Sequence, residues 1–128
     1  MNVRLDEELK KYFWKLMQMV DGLEAIVVTD RDGVPVIKVA TEAVPQLALK
    51  PHFLSTFAMA ADQASKLGLS KNKSIVCTYN SYQVIHFNKT PLVISLIASN
   101  DANTGMILNL ETELEDVLQE LKTAIEIS

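Results

Sequence analysis

The run LVISLIA at residues 92–98 is the feature that most limits how this chain can fold. Its apolar residues do not alternate with polar ones, as they would in a strand with one face in water. The run is also far shorter than the roughly 20 residues that a helix needs to cross a bilayer. It therefore predicts a central β-strand that is covered on both faces of its sheet.

A hairpin is predicted well before this strand. LEAIVVT and VPVIKVA are rich in β-branched residues, and DRDG lies between them. Asp30 can bond the backbone two residues further on, and Gly33 supplies the positive φ of a short hairpin loop. A calcium loop with Gly33 at its sixth place would need oxygen ligands at places that fall on Val28 and Val39. Since neither valine side chain can bind a metal, the pattern favours a hairpin.

A second hairpin and three helices complete the predicted elements. SIVCTY and YQVIHF are joined by the two-residue turn Asn80-Ser81, and PLVISLIAS follows. Pro51 can stand in the first turn of a helix that ends at about Leu67, before Gly68. Apolar residues three and four apart predict a first and a last helix. Their positions are Leu5, Leu9, Tyr12, Phe13, Leu16 and Val20, and then Ile107, Leu110, Leu114, Val117, Leu118, Leu121 and Ile125.

The order α-β-β-α-β-β-β-α with short connections predicts an α+β fold, a five-stranded antiparallel sheet with helices on both faces. A chain of 128 residues is expected to form one domain, residues 1–128. On the predicted helix of residues 51–67, Ala58, Ala61 and Ser65 form a flank of small residues beside Phe53 and Phe57. Such a flank fits a helix of a partner, and it also fits a helix set deep in its own fold.

Charge and cysteine content exclude several classes of protein. A net charge of −4 and a pI of about 5.1 argue against a nucleic-acid partner. Cys77 is the only cysteine, so no internal disulfide can form, and a reducing, cytosolic setting without a signal peptide is expected. Lys66, Lys71, Lys73 and Lys89 fall in a stretch without carboxylates. They fit an acidic partner and the protection of sheet edges equally well.

No group of residues in the sequence is typical of an enzyme. GLSKNKS lacks the second glycine of a phosphate-binding loop. Cys77 and His86 share a face of the predicted hairpin, but diagonal neighbours lie about 7 to 8 Å apart, too far for a dependable hydrogen bond. One cysteine and two histidines cannot complete a four-ligand zinc site. The acids of the last helix are predicted to form a solvated face, and no catalysis and no cofactor are expected.

Several whole stretches resemble a known family. They are GLEAIVVTDRDGVPVIKVA, FLSTFAMAADQASKLGLSKNKSIVCTYNSYQVIHFN, and PLVISLIAS followed by ANTG. In these stretches the chain resembles the roadblock and dynein light-chain seven family, and within it the mitogen-activated kinase scaffold subunits of Ragulator. The likeness runs from Gly22 to the end of the last helix and includes turn and loop residues.

The resemblance implies a non-catalytic adaptor on the cytosolic face of late endosomes and lysosomes. Its implied partners are a second roadblock-fold subunit, a lipid-anchored subunit that wraps around such pairs, Rag GTPases with the TOR kinase complex, and a MAP-kinase kinase with its extracellular-signal-regulated kinase. No nucleic acid and no direct insertion into the membrane are implied. The resemblance places the seam of the heterodimer on the helix of residues 51–67 and on the third strand. Carried onto this chain, the seam consists of Ala58, Ala61, Asp62, Ser65, Ser74, Ile75, Val76, Cys77, Thr78 and Tyr79.

Two other functions remain open from the sequence. The first is a regulator of small-GTPase nucleotide exchange or hydrolysis that acts as part of an assembled complex. The second is a sensory domain with a small-molecule pocket, although no cluster of polar residues marks such a pocket.

Overall fold

The computed structural model describes residues 3–30, 32, 34–44, 74–89 and 92–127, which form one antiparallel sheet and two helices. The strand order in the sheet is β2-β1-β5-β4-β3. The predicted five-stranded antiparallel sheet is therefore confirmed, whereas the predicted helix of residues 51–67 lies outside the described residues. The elements in chain order are α1 (Val3–Met19), β1 (Leu23–Thr29), β2 (Pro35–Ala40), β3 (Ser74–Thr78), β4 (Tyr82–Lys89), β5 (Leu92–Ser99) and α2 (Thr104–Ile127).

The strand β5 is central, as its unbroken apolar sequence predicts. It pairs with β1 on one side and with β4 on the other, so that Leu96 is opposite both Ile26 and Ile85. All of its residues except the last are buried. A strand with both faces covered does not need polar residues at alternate positions, which explains why the run LVISLIA lacks alternation. Its one polar residue, Ser95, is buried next to His86.

Both described helices pack on the same face of the sheet, which we call the helical face. Phe13 of α1 and Leu114 of α2 are fully buried in one cluster with Ile26, Ile85 and Leu96. On the opposite face, a second buried cluster is built from Ala25, Val27, Val44, Tyr82, Val84 and Ile97. The expectation of a helix on that opposite face depends on residues 51–67, which are not described.

The bend between β1 and β2 is held by Asp30. Its Oδ1 accepts hydrogen bonds from the backbone N–H groups of Asp32, at 2.9 Å, and Val34, at 3.0 Å. The backbone N–H of Asp30 donates to the carbonyl oxygen of Val34 at 3.1 Å. The carboxylate thus stabilises the turn, as predicted for the hairpin.

Gly22 connects α1 to β1 with a φ of 87°. A Cβ at this position would lie 2.7 Å from Ser99 Oγ and 3.1 Å from Ala102 Cβ. The Gly22 carbonyl oxygen accepts a hydrogen bond from the Ser99 backbone N–H at 2.9 Å. Gly22 thus lies in the turn between α1 and β1, where the Leu23 backbone N–H donates to the Val20 carbonyl oxygen at 3.2 Å, and it lets the chain pass close to the end of β5.

The loop between β5 and α2 is fixed by a buried polar side chain. Gln83 of β4 donates through Nε2 to the carbonyl oxygens of Ser99, at 3.0 Å, and Ala102, at 3.2 Å. Its Oε1 accepts a hydrogen bond from Thr104 Oγ1 at 2.6 Å. Asn103 caps α2 because its Oδ1 accepts from the backbone N–H of Met106 at 3.1 Å.

Neither helix that the structure describes has an apolar stretch long enough to span a membrane.

Candidate partner interface

The strand β3 forms one edge of the sheet. Among the described strands it pairs only with β4, in the register Ser74–Phe87, Ile75–His86, Val76–Ile85, Cys77–Val84 and Thr78–Gln83. Half of its backbone N–H and C=O groups therefore point away from β4. An edge of this kind can pair with a strand of another chain.

The side chains of β3 alternate between the two faces. Ile75 and Cys77 are half-buried on the opposite face, whereas Ser74, Val76 and Thr78 are exposed on the helical face. Val76 is 43% exposed, although Ile85 beside it on β4 is fully buried. The helical face thus ends in an exposed apolar side chain where it reaches β3.

The two edges of the sheet differ in their protection against pairing. The other edge strand, β2, begins at Pro35 and presents the exposed Lys38. A proline and an outward lysine both hinder another chain from adding to an edge. The strand β3 has the sequence SIVCT, with no charge and no proline. Of the two edges, β3 is therefore the one suited to accept a partner strand.

The end of β3 is held in place by its neighbours. Tyr79 stacks on Tyr82 with ring centroids 4.8 Å apart, and its backbone N–H donates to the Tyr82 carbonyl oxygen at 2.8 Å. This bond confirms the two-residue turn at Asn80-Ser81. Asn100 Nδ2 donates to the carbonyl oxygens of Tyr79, at 2.8 Å, and Asn80, at 3.0 Å. The edge is therefore presented in a fixed position.

Asn100 was not expected from the sequence. Its bonding partners lie about 20 residues earlier in the chain, so no local pattern connects them. An asparagine directly after a strand is the one available signal, because its side chain can bond nearby backbone groups.

Cys77 and His86 lie as predicted, in register with Val84 and Ile75 respectively. Burial lowers the pKa of His86 from 6.5 to about 4, and its Nδ1 is 2.7 Å from Ser95 Oγ. Burial also raises the pKa of the Cys77 thiol. A reactive pair would need a lowered thiol pKa and a histidine that titrates near neutrality. Both shifts run the other way, so this pair is part of the packing.

Lys89 at the end of β4 is bound within the chain. Its Nζ lies 2.8 Å from Glu111 Oε1 and 2.9 Å from Glu115 Oε2 of α2. Burial by itself would lower the pKa of Lys89, but hydrogen bonds to both carboxylates outweigh this effect and raise it. The side chains of Glu111 and Glu115 remain 28% and 48% exposed, so the predicted solvated face of the last helix also carries an ion pair to β4.

The remaining predicted site residues are not tested by the structure. Ala58, Ala61, Asp62 and Ser65 lie outside the described residues, as do Lys66, Lys71 and Lys73. Within the described residues, no group of three or more His, Cys, Asp or Glu side chains is placed to hold a metal ion.

The chain has a roadblock-like fold. MglB from Myxococcus xanthus matches with a TM-score of 0.73 at 12% identity, over 97% of this chain and 94% of that one. A roadblock/LC7 domain from Streptomyces avermitilis matches with a TM-score of 0.55 at 15% identity, over 88% and 93% of the two chains. At these identities the likeness concerns the fold alone.

Sequence comparison defines the family. Residues 7–125 match the family described as mitogen-activated protein kinase kinase 1 interacting, and the chain belongs to it. Ragulator complex protein LAMTOR3 from Pagrus major is 62% identical over 122 residues, which cover 95% of this chain and 98% of the relative. LAMTOR3-B from Xenopus laevis is 63% identical over 121 residues, 94% and 98% of the two chains. Ragulator complex protein LAMTOR3 from Homo sapiens is 60% identical over 122 residues, which cover 95% of this chain and 98% of the relative.

The resemblance drawn from the quoted stretches is thereby confirmed. The chain is accordingly a non-catalytic protein of the scaffold or adaptor type.

Proposed function

We propose that this chain is a Ragulator-type scaffold subunit that pairs with a second roadblock-fold subunit through β3. The observation that carries the proposal is the unprotected edge strand, which has no charge, no proline and an exposed Val76. A partner strand added to this edge satisfies the outward backbone groups of β3 and joins two sheets into one.

The exposed side chains of β3 explain why pairing is favourable. A partner sheet that continues this one brings its own covering layer over Val76, which is 43% exposed here. Burial of this apolar surface adds to the hydrogen bonds of the new strand pair. The seam also includes Ala58, Ala61, Asp62 and Ser65 in our proposal, because a flank of small residues lets a partner helix come close.

The pair then serves as a platform on the cytosolic face of late endosomes and lysosomes. A lipid-anchored subunit wraps around it and supplies the membrane attachment, and Rag GTPases recruit the TOR kinase complex to it. A MAP-kinase kinase and its extracellular-signal-regulated kinase are held side by side. Two clients bound to one scaffold meet at a high effective concentration, so signalling speeds up without new chemistry. The names of the family and of its relatives support this assignment.

The edge can be tested with two matched valine variants. Val76→Lys places a charge on β3, whereas Val34→Lys places the same charge on a similarly exposed valine before β2. We expect Val76→Lys to weaken pairing with the second roadblock-fold subunit by about tenfold or more, because the charge must lose its water in the seam. Val34→Lys should pair as the parent does. Calorimetric titration and the mass of the complex in solution measure both.

Unchanged affinity of Val76→Lys would exclude β3 from the seam. A separate variant, Ala61→Arg, tests the helical part of the seam, and we expect it to weaken the same pairing. If only one of the two variants weakens pairing, the interface uses only that element.

A further inference from the structure

A groove lies between the end of α1 and the start of α2. Its volume is about 210 Å³, and it is lined by Met19, Val20, Met106, Asn109, Leu110 and Glu113. Val20 and Leu110 are buried and form its apolar floor, whereas Met19 is 56% exposed and Met106 is 46% exposed. Methionine is unbranched and polarizable, so two exposed methionines beside an apolar floor can adapt to an entering apolar side chain.

The size of the groove decides between classes of ligand. Pockets for small metabolites have volumes of about 300 to 1,000 Å³ and enclose most of the ligand. A groove of about 210 Å³ is smaller, and it suits one or two apolar side chains of a protein partner.

The residues that follow the groove along α2 are acidic. Met106, Asn109, Glu113, Asp116 and Glu120 are exposed and are spaced alternately by three and four residues, which places them along one side of the helix. The side therefore begins with an apolar residue at the groove and continues with three carboxylates. On the α1 side, the exposed Lys15 and Asp21 contribute opposite charges.

Tyr12 of α1 shows that the carboxylates lie close to the contact between the helices. Its hydroxyl donates to the carbonyl oxygen of Glu113 at 2.9 Å and lies 3.5 Å from the Glu113 carboxylate. Burial raises the pKa of Tyr12, and the charges of Glu113 and Asp116 raise it further. Both carboxylates thus act at the place where α1 meets α2.

We propose that this groove, followed by the acidic side of α2, is a docking site for a basic amphipathic helix of a partner protein. One or two Leu- or Met-like side chains of that helix enter between Met19 and Met106. Lysine or arginine residues further along the helix face Glu113, Asp116 and Glu120. This is helix-in-groove recognition, in which apolar anchors give affinity and charge gives orientation. The site contains no residue of β3, so it is separate from the edge proposed for pairing.

The probe is a synthetic helix of about 18 residues, or five turns, with leucines on one side and lysines on the other. A second peptide carries glutamates in place of the lysines. The full chain with ¹³C-labelled methionine methyl groups is titrated with each peptide. We expect the lysine peptide to shift the methyl signals of Met19 and Met106. The glutamate peptide should bind at least about tenfold more weakly than the lysine peptide.

Matched variants distinguish binding in the groove from non-specific binding to exposed apolar side chains. The double variant Met19→Gln, Met106→Gln removes the apolar rim at two exposed positions, so the fold is retained. The control Trp14→Gln, Val34→Gln changes two other exposed apolar residues. We expect the lysine peptide to bind the first variant about tenfold more weakly and the control as tightly as the parent.

Three results would overturn the proposal: equal binding of the two peptides, equal binding of parent and groove variant, or methyl shifts that leave out Met19 and Met106. Because Val76→Lys leaves the groove intact, it should bind the lysine peptide as the parent does. Failure of pairing at β3 and failure of this site can therefore be told apart.

Discussion

His86 makes the stability of this chain depend on pH in a way that can be worked out from its burial. In the folded chain burial lowers its pKa from 6.5 to about 4. In the unfolded chain His86 takes up a proton as the pH falls through about 6.5, whereas in the folded chain it does so only near pH 4. The contribution of His86 to folding is therefore fully present above pH 6.5 and is lost progressively as the pH falls towards 4.

The size of this loss follows from the difference between the two pKa values. Each pH unit between them corresponds to about 1.4 kcal/mol, so His86 accounts for about 3 kcal/mol over the whole window. The assay is urea unfolding of the full chain at a fixed concentration, from about pH 7.5 down to about pH 4. Over this pH range the free energy of unfolding of the parent should fall by about 3 kcal/mol more than that of His86→Gln, because glutamine cannot take up a proton in this range.

Ser95 provides the control. Its hydroxyl is 2.7 Å from His86 Nδ1, but burial is the cause of the lowered pKa. Ser95→Ala should therefore keep most of the pH dependence, even though it lowers stability at every pH. The reasoning would be refuted by equal pH dependence in the parent and in His86→Gln. Loss of the dependence in Ser95→Ala would show instead that the hydrogen bond, and not burial, sets the pKa.

Two further changes test contacts that hold the fold. Gly22→Ala should cost about 1 to 2 kcal/mol or more of unfolding free energy, because φ is 87° and the new Cβ would lie 2.7 Å from Ser99 Oγ; thermal unfolding measures this, and unchanged stability would contradict it. Lys89→Met should cost about 1 kcal/mol by leaving Glu111 and Glu115 without their cation. This loss should shrink at high salt, and a loss independent of salt would point to packing.

The elements that could be predicted are those with a local apolar pattern. The run at residues 92–98 indicated a central strand, and the spacing of Leu9, Phe13 and Leu16 indicated a buried helical side, both of which the structure has. The predicted bond of Asp30 to the backbone two residues on is also present. These features depend on neighbours within a few residues, where periodicity and turn chemistry carry the information.

Contacts between distant elements could not be predicted in the same way. Gln83 appeared as a polar residue within a strand, but its bonds to Ser99, Ala102 and Thr104 depend on where the chain passes after β5. The ion pairs of Lys89 join β4 to α2 across more than 20 residues. In both cases the bonding partner is supplied by the tertiary fold, which no local pattern encodes. The strand β4 also runs to Lys89, two residues beyond the predicted YQVIHF, because Asn88 and Lys89 pair with Val93 and Leu92 at the start of β5.

The two proposed surfaces differ in the physics of recognition, and this difference suits a scaffold. The edge at β3 offers backbone groups and a short apolar strand, so it selects a partner that can contribute a strand in register. The groove beside Met19 and Met106 offers apolar floor and carboxylates, so it selects a helix by shape and charge. Because the two proposed surfaces share no residue, we expect that both can be bound at once. A single small domain can then hold two different chains at high effective concentration, which is the requirement for an adaptor that performs no chemistry.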